Sequence, residues 1–231
     1  MAGSRWIGDL EIGDCWARWR GRIGDGEFHR HFAAQAIVAD GSAALLTRDG
    51  GKFEGQCLLV EPLTRHRLLP GTTATLFYIE PSRDDTSYQA MQAFLPEPHA
   101  AKIIGSPDGF WSRQMGGSAG PIKGDPLIDD ALARIEQRLD DGAIALRVVA
   151  DVSGLSPDHF RHRFTDAVGL PFRRYVLWRR LRRAAELLSS GADATTSAHE
   201  AGFADSAHFA RTIKATFGVT ASQAFGGLRH D

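Results

Sequence analysis

GFADSAHFAR occupies residues 202–211 and reads as a helix start with unusually little to bury. Gly202 makes a turn, Phe203 anchors it, and Asp205 is a capping type whose carboxylate accepts from backbone N–H groups of the first turn. The helix then runs from Ser206 to Phe217 and stops at Gly218. Its apolar residues, Phe209 and Ile213, lie four apart on one narrow line, whereas a helix made only for a core carries a broader stripe. Ser206, Ala207, His208 and Arg211 are left for another face.

The same arrangement of helix, tight glycine turn and capped helix occurs twice, as VVADVSGLSPDHFRHRF and as TSAHEAGFADSAHFARTIKATF. In the first copy Ser156 caps, Pro157 takes the first helical position and Asp158 complements the dipole. Phe160 and Phe164 form its buried line and Gly169 ends it. Phe172, Val176, Leu181, Ala185 and Leu188 trace a long connecting helix, and Leu127, Ala131, Ile135 and Leu139 a helix ahead of both copies. A helix-turn-helix sets its second helix into the DNA major groove. The two second-helix starts, Ser156 and Asp205, are 49 residues apart. A rigid connector can hold such helices one DNA turn apart, about 34 Å.

Composition permits this reading without requiring it. The 231 residues are 43% hydrophobic and 24% charged with net charge −1, so the chain is not basic as a whole. From Ser156 to Arg183, however, eight arginines against two aspartates give +6. Most such runs are solvated helix faces, and a phosphate-facing patch is the sharper alternative. The first twenty residues hold no continuous apolar run, so neither a secretion signal nor a membrane span is expected. Cys15 and Cys57 lack the spacing of a disulfide framework or a zinc ribbon, which suits a cytoplasmic protein.

The stretches LSPDHFRHRFTDAVGLPFRRYVLWRRLRRAAELL and GFADSAHFARTIKATFGVTAS resemble the AraC/XylS-type transcriptional regulators. The resemblance extends from about Leu127 to Phe225. It implies a first reading helix from Ser156 to Ala167 with Asp158, Arg161 and His162 facing the groove. It implies a second from Asp205 to Phe217 with Ser206, Ala207, His208 and Arg211 facing DNA. Arginine suits bidentate bonds to guanine or a phosphate clamp. The chain departs from the family where two bulky aliphatics are usual, holding Ala194 and Ser197. Asp158 is a second departure, because a carboxylate repels phosphate unless it accepts from cytosine.

From about Gly21 to Pro107 the grammar is different. AAQAIVA, AALLT, CLLVEP, RLLPG and TATLFYIEP are short apolar runs divided by Gly, Pro and Asp, the pattern of a small sandwich or barrel. His29 and His31 alternate onto one strand face, and His66 follows on a later strand. This half is similar to the cupin-like sensor domain that precedes the DNA-binding domain in many members of the family. A metal cupin usually adds a glutamate after the second histidine, whereas Gln35 stands here, and an amide is the poorer ligand. His29, His31, Gln35 and His66 are therefore expected to line a ligand pocket, with no metal and no cofactor.

The expected architecture is α+β in two domains: a small cupin-like β-barrel over residues 1–114 that senses a signal or dimerises, a linker over 115–126, and an all-α DNA-binding domain over 127–231 with two helix-turn-helix motifs joined by a long helix. The expected function is sequence-specific binding of operator or promoter DNA, controlled by a small-molecule effector. The chain is expected to act without catalysis or a membrane, with a homodimer and, for an activator, RNA polymerase as partners. A metal-dependent cupin enzyme with a helical appendage is the alternative. A DNA alkylation-repair regulator would need a reactive cysteine cluster that the two isolated cysteines do not supply.

Overall fold

The computed structural model describes residues 4–81, 101–115, 125–142 and 144–226. The chain divides into two compact units, one of Met1–Pro121 with Ile213–Asp231 and one of Ile122–Thr212. Most of the expected linker, residues 116–124, lies outside the described residues. Its ends belong to helices: Met115 closes one and Asp125 caps the next.

The first unit contains a seven-stranded sheet. Its strands are β1 (Ile7–Ile12), β2 (Trp16–Arg22), β3 (Ala34–Thr47), β4 (Lys52–Val60), β5 (His66–Leu68), β6 (Thr73–Ile79) and β7 (Ala101–Ile104). They lie in the order β1-β2-β6-β3-β4-β7, with β5 paired to β3. All pairs are antiparallel except β4 with β7. AAQAIVA and AALLT prove to be one strand, β3, whose register shifts between Val38 and Ala43. The polar Asp40-Gly41-Ser42 between them bulges the strand without ending it, so the turn signal was real but local.

The central strands read as unbroken apolar runs because both faces are covered. Ile37, Ala39, Leu45, Leu58, Val60 and Leu76 join Trp19 in one core. Their alternate neighbours Ala34, Ala36, Cys57, Leu59, Phe77 and Ile79 join Phe110 and Trp111 in another. Those two aromatics come from α1 (Phe110–Met115), and the Trp111 indole N–H donates to the Val60 carbonyl at 2.9 Å. Strands β1 and β2 fall ahead of the region read as strands. In β2 the buried Trp19 is flanked by Arg18 and Arg20, and Trp6 meets it edge-on at 5.0 Å.

The second unit is helical: α2 (Pro126–Glu136), α3 (Leu146–Val152), α4 (Pro157–Val168), α5 (Phe172–Ser189), α6 (Ala194–Glu200) and the greater part of α7 (Ser206–Phe217). The short α8 (Ala221–Phe225) follows in the first unit. The caps are those the sequence marks. Ser156 accepts from the His159 N–H, Asp205 accepts from the His208 N–H at 2.6 Å, and Gly169 takes φ +78° to close α4. Phe160, Phe164 and Phe172 pack ring against ring, with Tyr175 5.6 Å from Phe164. Arg179, 1% exposed, forks onto Glu136 through Nε at 2.6 Å and Nη2 at 3.0 Å, tying α5 to α2.

Arg179→Ala removes one half of a buried, bidentate pair and should cost about 3–5 kcal/mol. Arg173→Ala, at an exposed site, should shift stability by less than about 0.5 kcal/mol. Urea unfolding of both variants checks the contrast. Ser197, in the slot where an aliphatic is usual, is fully buried and its Oγ has no partner among the described residues. Ser197→Ala should therefore raise stability by about 1 kcal/mol in the same assay, since an unsatisfied hydroxyl leaves the interior.

Candidate nucleic-acid interface

Helix α4 is two-faced by construction. Phe160, Phe164 and Val168 are buried on one side, at spacings of four. Asp158, Arg161 and His162 are all exposed on the other, as the sequence predicts. Arg161 Nη1 meets Asp158 Oδ1 at 2.5 Å, one turn apart on the exposed face. The carboxylate thus has a partner in the protein, and it holds the guanidinium while offsetting its positive charge.

Helix α7 repeats the design. Gly202 takes φ +76°, and a side chain there would run into the Leu139 carbonyl oxygen, so the turn admits only glycine. Phe203 and Phe209 meet at 5.2 Å and are buried. Ser206, Ala207 and Arg211 are exposed. His208 is half-buried because its ring lies edge-on against Phe203 at 5.4 Å, which leaves it less reach than the other three. The small side chains leave the α7 backbone open to close approach.

The arginine run is mostly engaged within the protein and does not form one continuous patch. Arg163 forks onto Asp125 at 2.6 and 2.8 Å, and the carboxylate, held by that guanidinium, titrates below its usual range. Arg179 is buried on Glu136, and Arg180 donates to the Leu139 and Gly142 carbonyls. Arg182 and Arg183 both reach Glu186. Arg173 and Arg174, exposed in the first turn of α5, have no ion pair among the described residues. Cations there oppose the helix dipole, so their position favours an approaching anion, and the sequence reading did not single them out. A basic pair one residue beyond the proline at the helix start was the available signal.

The three histidines come together. His29 and His66 exchange backbone hydrogen bonds at 2.9 and 3.0 Å, and His31 lies two residues on. Each ring turns Nδ1 to a carbonyl at 2.9 Å: His29 to Glu27, His31 to Ala33, His66 to Thr64. Burial drives all three below the ordinary imidazole value, His31 to about 3. Gln35 joins the group, donating to the Tyr78 hydroxyl at 3.1 Å.

Residues 149–226 match the helix-turn-helix domain family, a stretch that starts within α3 and includes both tight turns. They form a helix-turn-helix domain of that family. Two relatives resemble the chain in part. The transcriptional activator RhrA of Rhizobium meliloti is 35% identical over 92 residues, 38% of this chain and 29% of that protein. The bifunctional transcriptional activator/DNA repair enzyme Ada of Escherichia coli is 35% identical over 80 residues, 35% of this chain and 23% of that protein. The chain spans less than a third of either relative's length. Among solved structures, a variant of ToxT from Vibrio cholerae has a TM-score of 0.62 at 12% identity, over 95% of this chain and 100% of its own. ToxT bound to an unsaturated fatty acid has a TM-score of 0.56 at 13% identity, over 94% of this chain and 97% of its own.

In the helix-turn-helix domain, Asp158 sets the charge of the first exposed face. Asp158→Asn should tighten binding to random duplex DNA several-fold at low salt, because one repulsion with phosphate is lost. A fluorescence-anisotropy titration checks this, and weaker binding of a selected site alone would show that the carboxylate reads a base.

Proposed function

We propose that this chain is a DNA-binding transcriptional regulator whose AraC-type domain reads the major groove through α4 and α7. One observation carries the reading: α4 buries Phe160 and Phe164, α7 buries Phe209 and Ile213, and the predicted reading residues other than the half-buried His208 are exposed on the opposite faces. Arg161 and Arg211 make base contacts, Ser206 and Ala207 permit close approach, and His162 and His208 donate to phosphate or base. Arg173 and Arg174 clamp phosphate at the start of α5. Docking is electrostatic and readout is by side chains, with no covalent step.

The sheet domain is the sensor, and its cupin-like closure is supported by the bulged β3 that pairs with β4, β5 and β6. A small-molecule effector is supported by the fatty acid held by the structurally similar ToxT. RNA polymerase contact fits activators such as the Rhizobium relative, and a homodimer fits a two-site operator. Among the described residues no helix is long and apolar enough to cross a membrane, in keeping with a cytoplasmic regulator. The metal-dependent enzyme has the histidine cluster in its favour. Against it, Gln35 stands where a metal cupin carries a glutamate ligand, and an amide is the poorer ligand. Repair chemistry of the Ada kind needs a reactive thiolate, whereas burial pushes the Cys57 thiol up to about 11.

Arg161→Ala and Arg211→Ala should each weaken a selected operator by about 1–3 kcal/mol and relax discrimination at one base position. Arg173→Ala and Arg174→Ala should weaken all sequences alike and reduce the salt slope by about one each. Mobility-shift titrations on selected and random duplexes separate the two classes. Unchanged affinity in all four variants would overturn the proposed interface.

A further inference from the structure

We propose that His29, His31 and His66 form a site for one divalent ion of the zinc class, bound through the three Nε2 atoms. A carbonyl oxygen can only accept, so each Nδ1 in contact with one must carry the ring proton. The second nitrogen of each neutral ring is then a lone-pair donor. This pattern of backbone carbonyls fixing the tautomer is the outer arrangement of metal-binding histidines.

One ring nitrogen from each of the three residues lies within 4.8 Å of the other two. Around a tetrahedral ion with bonds of about 2.0–2.1 Å, neighbouring nitrogens sit roughly 3.3 Å apart, so small ring rotations complete the set. Nε2 of His31 and of His66 are buried with no hydrogen-bond partner among the described residues. Three imidazoles in a purely structural cluster would turn such atoms toward hydroxyls or amides, since buried polar atoms are otherwise costly. Gln35 Oε1 is likewise buried with no hydrogen-bond partner among the described residues. Three neutral imidazoles suit a borderline ion such as zinc, nickel or copper better than magnesium or calcium. The fourth position remains for water or an exogenous donor.

The end of α7 covers this site within the first unit. The Phe217 ring lies 6.0 Å from both His31 and Tyr78. Gly218 accepts from the Glu27 N–H at 2.8 Å, and a Cβ on it would come 2.6 Å from His29 Nδ1. Lys214 pairs with Glu27 at 2.9 Å.

The test is titration of the chelator-stripped full chain with Zn²⁺ by calorimetry and with Co²⁺ by visible absorption. One equivalent per chain is expected, with cobalt bands bleached by zinc. His29→Asn, His31→Asn and His66→Asn each keep an amide donor near the Nδ1 position and lose Nε2. Each should weaken binding by more than about 100-fold, beyond the loss typical of an outer contact, with an unchanged circular-dichroism spectrum. Gln35→Glu, which leaves the histidines intact, should tighten binding at least about tenfold by adding a carboxylate. No stoichiometric binding by the wild type, or equal binding by folded variants, overturns the site. DNA affinity is read separately on the same protein, so either reading can fail without the other.

Discussion

Four aromatic rings decide which surface of the helical unit faces outward. Phe160 and Phe164 on α4 meet Phe172 and Tyr175 at the start of α5, with centroid separations of 5.4 to 6.3 Å where they touch. A helix repeats every 3.6 residues, so burying positions 160, 164 and 168 leaves 158, 161 and 162 on the far side. The turn that enters α4 and the direction in which α5 leaves it follow from that contact. Phe203 and Phe209 do the same for α7. Burial of apolar rings and exposure of polar readers are one event seen from two sides.

Charge is distributed with equal economy. The run of arginines between Ser156 and Arg183 looks in one dimension like a single basic surface. In three dimensions three of the eight tie helices together, Arg163 to α2 through Asp125, Arg179 to Glu136 and Arg180 to the backbone after α2, while Arg182 and Arg183 reach Glu186 within α5. Guanidinium groups suit this task because their planar fork meets a carboxylate in two bonds. What remains outward in the run without a tie to another helix is Arg161 held by Asp158, Arg183 beside Glu186, and the pair Arg173 and Arg174 placed against the helix dipole.

The first unit shows a different economy. The central strands of its sheet are apolar on both faces, and its buried histidines collect where β5 approaches the segment before β3. There the histidine rings, Gln35 and Tyr78 meet Phe217 and Gly218 from the end of α7. Three rings whose tautomers are set by backbone carbonyls form a stiff, neutral, donor-rich centre. That stiffness follows from position: each acceptor is only two residues away in the chain, so the local backbone itself orients the ring.

Much of the helical unit was legible in the residues. Caps at Ser156 and Asp205, glycines at 169, 202 and 218, and aromatic spacings of four are local signals, and local geometry obeys them. So was the exposed character of Asp158, Arg161, His162, Ser206, Ala207 and Arg211, because amphipathic period is written in the chain itself. The sheet was legible as a kind but not as a pattern: β1 and β2 were missed, and β3 was cut in two at Asp40-Gly41-Ser42. Strand pairing joins residues far apart, and no local signal states which run lies beside which. The same reason hid the fate of the arginines. An Arg on a helix carries no mark of whether a carboxylate 43 positions earlier will take it, as Glu136 takes Arg179. Sequence alone determined where helices begin, turn and end. Only tertiary structure decided which charges stay free, and that three histidines from two segments share one centre.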